Sequence, residues 1–251
     1  MLRWALTALF STAGLLLSAC GGGSPETLRV DAASSLEPAF AELIQAFPDP
    51  GAAIELNVAG SSTLATGIIE GSQPDIFAAA DTTTMQRVID AGLADSPQVF
   101  TTNRLALVVP PDDPAQLLDT TPGSLPEALV GSTVAQCAPQ VPCGRLSVEA
   151  QGALGIAVTP ATEEANVRSV LTKVETGEVD AGFVYFTDTR GSDVEIVPVD
   201  GLGDFVNRYP IVVLSASKER AANDASAAQR FVDFVLSPEG QEILASWGFV
   251  S

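Results

Sequence analysis

Twice between Leu28 and Asp81 the chain passes from a strand pattern into a helix pattern through a turn rich in hydroxyls. No other feature narrows its possible folds as far. The first strand, Leu28 to Ala33, gives way to Ser34-Ser35-Leu36, and the second, Ala53 to Val58, gives way to Gly60-Ser61-Ser62-Thr63-Leu64. Behind the first turn, Leu36, Phe40, Leu43, Ile44 and Phe47 recur on one helical face; behind the second, Leu64, Ile68 and Ile69 mark a shorter helix that stops at Gly71. Ser34 and Glu37 have capping-box spacing. Asp75 to Ala80 reads as a buried strand, and Asp81 as the N-cap of a helix ending near Gly92. Such a series predicts an α/β fold with a mostly parallel sheet. Two serine-bearing helix N-termini can also face one small anion, which is a way to hold a dianion without a cationic side chain.

The rest of the chain keeps alternating. Leu105 to Val109 reads as a strand broken by Pro110-Pro111, and Thr133 to Gln136 as a short one. Helices are predicted over Ser147 to Leu154 and Glu163 to Glu175, the latter with Val167, Val170, Leu171 and Val174 on one face. Ala181 to Tyr185, Val194 to Val199 and Ile211 to Leu214 are strand patterns. Two helices follow, Ala225 to Leu236 and Pro238 to Trp247, with Pro238 suited to a first turn after Ser237.

The formal net charge of −19 argues against nucleic acid and anionic membrane surfaces as partners, and it repels free anions at long range. An anion site here must therefore work through short-range donors. Residues 1–19 read as a signal peptide, with Arg3 before an apolar stretch too short to span a bilayer. Leu17-Ser18-Ala19-Cys20 reads as a lipobox, placing lipid on Cys20 and a tether through residue 27; a plain secretory signal with a chance cysteine is the alternative. Of the remaining thiols, Cys137 and Cys143 are close enough for a disulfide outside the cytoplasm, worth about 2 kcal/mol by loop entropy. A metal pair is the other reading, disfavoured because the chain has no histidine.

The ordered set Ala32-Ala33-Ser34-Ser35-Leu36, Gly60-Ser61-Ser62-Thr63-Leu64-Ala65, Pro74-Asp75-Ile76-Phe77 with Ala80-Asp81, Val141-Pro142-Cys143-Gly144, Asn166-Val167-Arg168, Gly182-Phe183-Val184-Tyr185 and Tyr209-Pro210 resembles the molybdate-binding lipoproteins and periplasmic proteins that feed ABC transporters. The resemblance covers residues 28–249. It implies a type II periplasmic-binding-protein fold, with one lobe of residues 28–102 plus 212–251 and another of residues 103–211. Crossovers would fall near Asn103-Arg104 and Tyr209-Pro210, with the ligand between the lobes. It further implies an exported, membrane-anchored, monomeric receptor for molybdate and tungstate. This receptor would be non-enzymatic and free of cofactors, and would pass its ion to a permease driven by a separate ATPase.

By motif position the ligand would be held by the Ser35 and Ser61 hydroxyls, the backbone N–H groups of Cys143 and Val167, and the Tyr185 phenol, with no direct metal ligand. Cys143 stands where the family often has alanine, and that assignment fails first if a bridge to Cys137 distorts the turn. From spacing alone, Ser34, Ser35, Ser61 and Ser62 read as helix caps, Tyr185 as a core aromatic, Asp75 and Asp81 as element ends, and Arg168 as a surface ion pair. Asp31 or Asp75 could supply the acceptor that a phosphate site needs, so sulfate or phosphate binding on the same fold is the alternative. A serine hydrolase of the Ser–His–Asp kind is excluded by the absence of histidine, and a Ser–Lys pair would have to use Lys173 or Lys218, neither of which is read as lying near a Ser-x-x-Lys motif. A ferric-ion site wants neighbouring tyrosines, and Tyr185 and Tyr209 lie far apart in the chain.

Overall fold

The computed structural model describes residues 26–49, 52–121, 123–220 and 226–250. The leader, Cys20 and most of the tether lie outside the described residues. The chain opens with β1 (Glu26–Ala33), α1 (Glu37–Ala46), β2 (Ala52–Ala59), α2 (Ser61–Ile69), β3 (Ile76–Ala78) and α3 (Thr82–Asp90). It continues with β4 (Gln98–Val109), α4 (Leu125–Val130), β5 (Val134–Cys137), α5 (Pro142–Leu154), β6 (Thr162–Glu164), α6 (Val167–Glu175) and β7 (Ala181–Tyr185). It closes with β8 (Glu195–Val197), β9 (Val206–Val213), α7 (Ser215–Arg220), α8 (Ala227–Leu236) and α9 (Pro238–Ser246).

The strands lie in the order β2-β1-β3-β9-β4-β7-β5-β6, with β8 added against β4. The βαβ series produces the expected parallel pairs β1–β2, β1–β3, β5–β6 and β5–β7. β4 and β9 add antiparallel ones, so the sheet is mixed. β4 changes partners along its length: Gln98–Arg104 lies against β9, and Leu105–Val109 lies against β7 and β8. The register slips between Val99 and Thr101, beside Pro210, which has no N–H to give the ladder. The result is the two-lobe α/β architecture, with β4 running through both halves.

Burial follows the apolar periodicities. Phe40 and Leu43 of α1 are fully buried, each worth roughly 1.5–3 kcal/mol relative to exposure. Edge-to-face aromatics link Phe40 to Phe100, Phe100 to Tyr209, and Tyr209 to both Tyr185 and Phe249, so ring packing runs from α1 to the middle of the molecule.

Three predicted boundaries are corrected. α5 begins at Pro142 rather than Ser147, because proline at the first helical position needs no N–H partner. Glu163 and Glu164 lie on the edge strand β6, and the following helix starts only at Val167, where the Asn166 side chain accepts from Ser169 N–H at 3.0 Å. The Ser34–Glu37 capping box does not form: Ser34–Leu36 is a 3-10 turn, and α1 starts without a side-chain cap.

Candidate functional site

Three helical N-termini converge on a small cavity between the lobes. One is the 3-10 turn of Ser34 and Ser35 after β1, one is α2 after Gly60, and one is α5 after Val141; none has a side-chain cap. The start of α6 completes the wall with Asn166 and Val167, and Tyr185 at the end of β7 closes it. Ser35, Ser61, Cys143, Val167 and Tyr185, spread over the whole chain, all line this one cavity, and all are buried. Among the described residues, its lining contains no carboxylate and no cationic side chain.

The hydroxyls do not cap their own helices. Ser61 Oγ accepts from Ala80 N–H at 2.9 Å, and Ser35 Oγ lies 2.9 Å from Tyr209 Oη. Ser62 donates across to the Gln140 carbonyl at 3.3 Å. Tyr185 Oη accepts from Asn207 Nδ2 at 2.6 Å. Burial is the main cause that pushes both phenols well above their ordinary pKa, so Tyr185 and Tyr209 keep their protons as donors. Asp188 is buried behind Tyr185, accepting its backbone N–H at 3.0 Å. Burial raises Asp188 to about 7, against the opposing effects of that hydrogen bond and of Arg168.

Cys137 and Cys143 are bonded to each other, which removes the metal-pair reading. The bridge ties the end of β5 to the first turn of α5, the segment whose N–H groups border the cavity. The turn stays helical, so the bridge leaves Cys143 on the cavity wall. Gly144 passes so close to the Cys loop that a Cβ would meet Ala138 O at 2.0 Å. A Cβ on Gly60 would likewise meet Ala165 O at 2.4 Å, and this second contact joins the two lobes across the cleft. Ion pairs flank the closure: Arg145 of α5 bonds Asp81 and, at 3.0 Å, Thr84 Oγ1 of α3, while Arg168 of α6 lies 3.8 Å from Glu37 of α1.

The structural roles expected of the acidic residues hold. Asp81 caps α3 through Thr84 N–H at 2.8 Å, and Asp75 accepts Arg29 N–H and the Ser217 hydroxyl, each at 2.8 Å. Asp31 accepts from Asn57 Nδ2 at 2.8 Å, so neither carboxylate proposed for a phosphate site reaches the cavity wall. Contrary to the expectation that neither lysine sits near a Ser-x-x-Lys motif, Ser215-Ala216-Ser217-Lys218 has that spacing, but Lys218 pairs with Asp95 and neither Ser215 nor Lys218 lines the cavity. The two tyrosines are neighbours after all, with ring centroids 6.0 Å apart, yet only Tyr185 lines the cavity.

The residues missed from sequence are Asn207, Tyr209 and Asn103. Asn207 and Tyr209 are two apart on β9 and therefore share a face, and Asn103 pairs directly with Asn207 across the ladder. Buried polar residues at alternate strand positions were the available signal.

Helix N-termini and hydroxyls gathered around an interlobe cavity form a place to hold a small solute. The chain belongs to the bacterial extracellular solute-binding proteins, whose family pattern matches residues 28–250. It is 35% identical to the molybdate-binding protein ModA of Mycobacterium tuberculosis, over 99% of each chain. Among solved structures it is similar to the periplasmic molybdate-binding protein of Azotobacter vinelandii (TM-score 0.73, 18% identity, 89% of this chain and 99% of that one). It is also similar to the sulfate-binding protein SubI of M. tuberculosis (TM-score 0.71, 16% identity, 89% of this chain and 86% of that one). At these identities the two structures speak for the fold alone.

Proposed function

We propose that this chain captures molybdate, and tungstate with it, outside the cytoplasm and delivers the ion to an ABC permease powered by a separate ATPase. In this reading residues 28–102 plus 212–251 and residues 103–211 are the closing lobes, lipid on Cys20 holds the mature protein at the membrane, and the receptor works as a monomer without a cofactor. The observation that carries it is the cavity wall: hydroxyls and uncapped helix N-termini from both lobes, and no carboxylate.

Molybdate is a deprotonated tetrahedral dianion near neutral pH, so its oxygens only accept. The Ser35, Ser61 and Tyr185 hydroxyls and the Cys143 and Val167 N–H groups are the donors assigned to it. Bonds from such donors to a charged acceptor are worth roughly 1.5–3 kcal/mol each, and the helix N-termini add a favourable field. Hydrogen phosphate keeps a proton and wants a carboxylate acceptor, which this wall lacks among the described residues. Sulfate is deprotonated and remains the second reading, distinguished from molybdate by size.

Titration calorimetry of the soluble chain from Gly21, with molybdate, tungstate, sulfate and phosphate in turn, tests the reading. Tight binding of the first two and weak binding of the others is expected. A preference for sulfate would keep the fold and replace the ligand, and silence with all four would remove the function.

A further inference from the structure

Two hydroxyls on the cavity wall have an acceptor role already filled by a group that can only donate. Ser61 Oγ accepts the Ala80 backbone N–H at 2.9 Å, and Tyr185 Oη accepts Asn207 Nδ2 at 2.6 Å. The Asn207 amide is turned with its nitrogen inward for a second reason: the Pro142 carbonyl, which can only accept, lies 3.4 Å from the same Nδ2. A hydroxyl that takes a hydrogen bond from behind has its own proton left for the cavity. We infer that Asn207 is a specificity-determining positioning residue: by donating to Tyr185 it commits the phenol to donate, so that the site accepts fully deprotonated tetrahedral dianions and rejects those that retain a proton. The inference rests on the oxyanion-receptor reading and adds to it the residue that fixes the direction of the phenol's hydrogen bond.

Size alone does not produce this selection, because sulfate and phosphate are close in size and differ in protonation. At Ser35 the partner is the Tyr209 hydroxyl, which itself lies 3.4 Å from Asn103 Nδ2 and can donate or accept, so the test is made where a pure donor bonds the wall hydroxyl directly, at Tyr185 and Ser61. Of their two locks, the one on Ser61 is main chain and the one on Tyr185 is a side chain, open to substitution. Asn207 is nearly buried, and its strand neighbours Arg208 and Val206 point outward, so a change at 207 acts on the interior alone.

Asn207→Asp is close in shape and replaces a donor with an acceptor. Its carboxylate accepts a hydrogen bond from the Tyr185 O–H and leaves a phenol lone pair toward the cavity. At pH 8 molybdate, sulfate and hydrogen phosphate are all dianions, so repulsion by the new charge is common to the three. The experiment measures molybdate affinity by calorimetry, and sulfate and phosphate by competition, in the wild type, Asn207→Asp, Asn207→Leu, Tyr185→Phe and the Asn207→Asp/Tyr185→Phe double variant. We expect Asn207→Asp to weaken molybdate and sulfate by about tenfold or more each, the value of one charge-assisted donor. The phosphate-to-sulfate affinity ratio should rise by at least about tenfold, Asn207→Leu should move it less in the same direction, and the effect on the ratio should vanish without the Tyr185 hydroxyl. Equal losses for all three anions would make Asn207 a structural residue and overturn the inference, as would a ratio change that survives in the double variant. Failure of the wild type to bind any of the three would instead remove the receptor reading itself.

Discussion

The helix starts on the cavity wall differ from those of α3, α8 and α9. These three start under their own caps: Asp81, Ser226 and Ser237 accept from Thr84, Gln229 and Gly240 N–H respectively, while α4, off the cavity wall, starts without a side-chain cap. At the cavity, α2, α5 and the turn after β1 have no side-chain cap, although Ser34, Ser61 and Ser62 stand beside those ends. α6 is intermediate, with Asn166 serving only Ser169 at the third position. An uncapped N-terminus costs about 1 kcal/mol relative to a capped one. The cap positions at the cavity are Ala33, Gly60 and Val141, whose side chains cannot cap, so the first N–H groups there are left open while the neighbouring serine hydroxyls bond elsewhere.

The largest test of this contrast is steric. Gly60→Ala places a Cβ against Ala165 O across the cleft, and should lower oxyanion affinity on the order of a hundredfold through misplacement of the closing lobes. Calorimetry reads it, and an unchanged affinity would mean that binding needs no such close approach. Next comes a matched pair of serines. Ser61→Ala should weaken binding by about one to two orders of magnitude, whereas Ser226→Ala should cost about 1 kcal/mol of stability and leave affinity unchanged. Equal behaviour of the two in binding and thermal melts would erase the distinction between ligand-facing and structural helix starts.

The smallest effect is pH-dependent. Asp188 is raised to about 7 in the fold, so the folded protein holds a proton that the unfolded chain releases. The stability this lends is complete below the ordinary carboxylate range, near pH 4, and is lost as pH rises through about 7. Asp188→Asn removes that dependence. Its Tm relative to wild type should therefore climb by a few degrees from pH 5 to pH 8, and a constant difference would show that Asp188 is not the titrating group.

What could be read from the residues was what depends on near neighbours. Asp81 as a cap, Ser237-Pro238 as a helix start and Ala181–Tyr185 as a strand are settled within a few positions. The helix predicted over Glu163–Glu175 failed at its start because the partner that draws Thr162–Glu164 into a strand is β5, some 27 residues earlier. The five proposed ligand residues came from a family resemblance. Spacing alone read the serines as caps and Tyr185 as core, and in the fold the two readings of Tyr185 coincide, since it is buried and also lines the cavity.

By itself the sequence determined the α/β alternation, the capped structural helices, the acidic surface and the absence of histidine chemistry, because these follow from composition, short-range periodicity and contacts one turn away. Only the tertiary structure decided which hydroxyls face the cavity and which groups stand behind them. Asn207 lies 22 residues from Tyr185, and Tyr209 lies 174 from Ser35. The direction in which a hydroxyl donates is set by the partner that fills its lone pair, and here that partner arrives through strand pairing and lobe closure rather than along the chain.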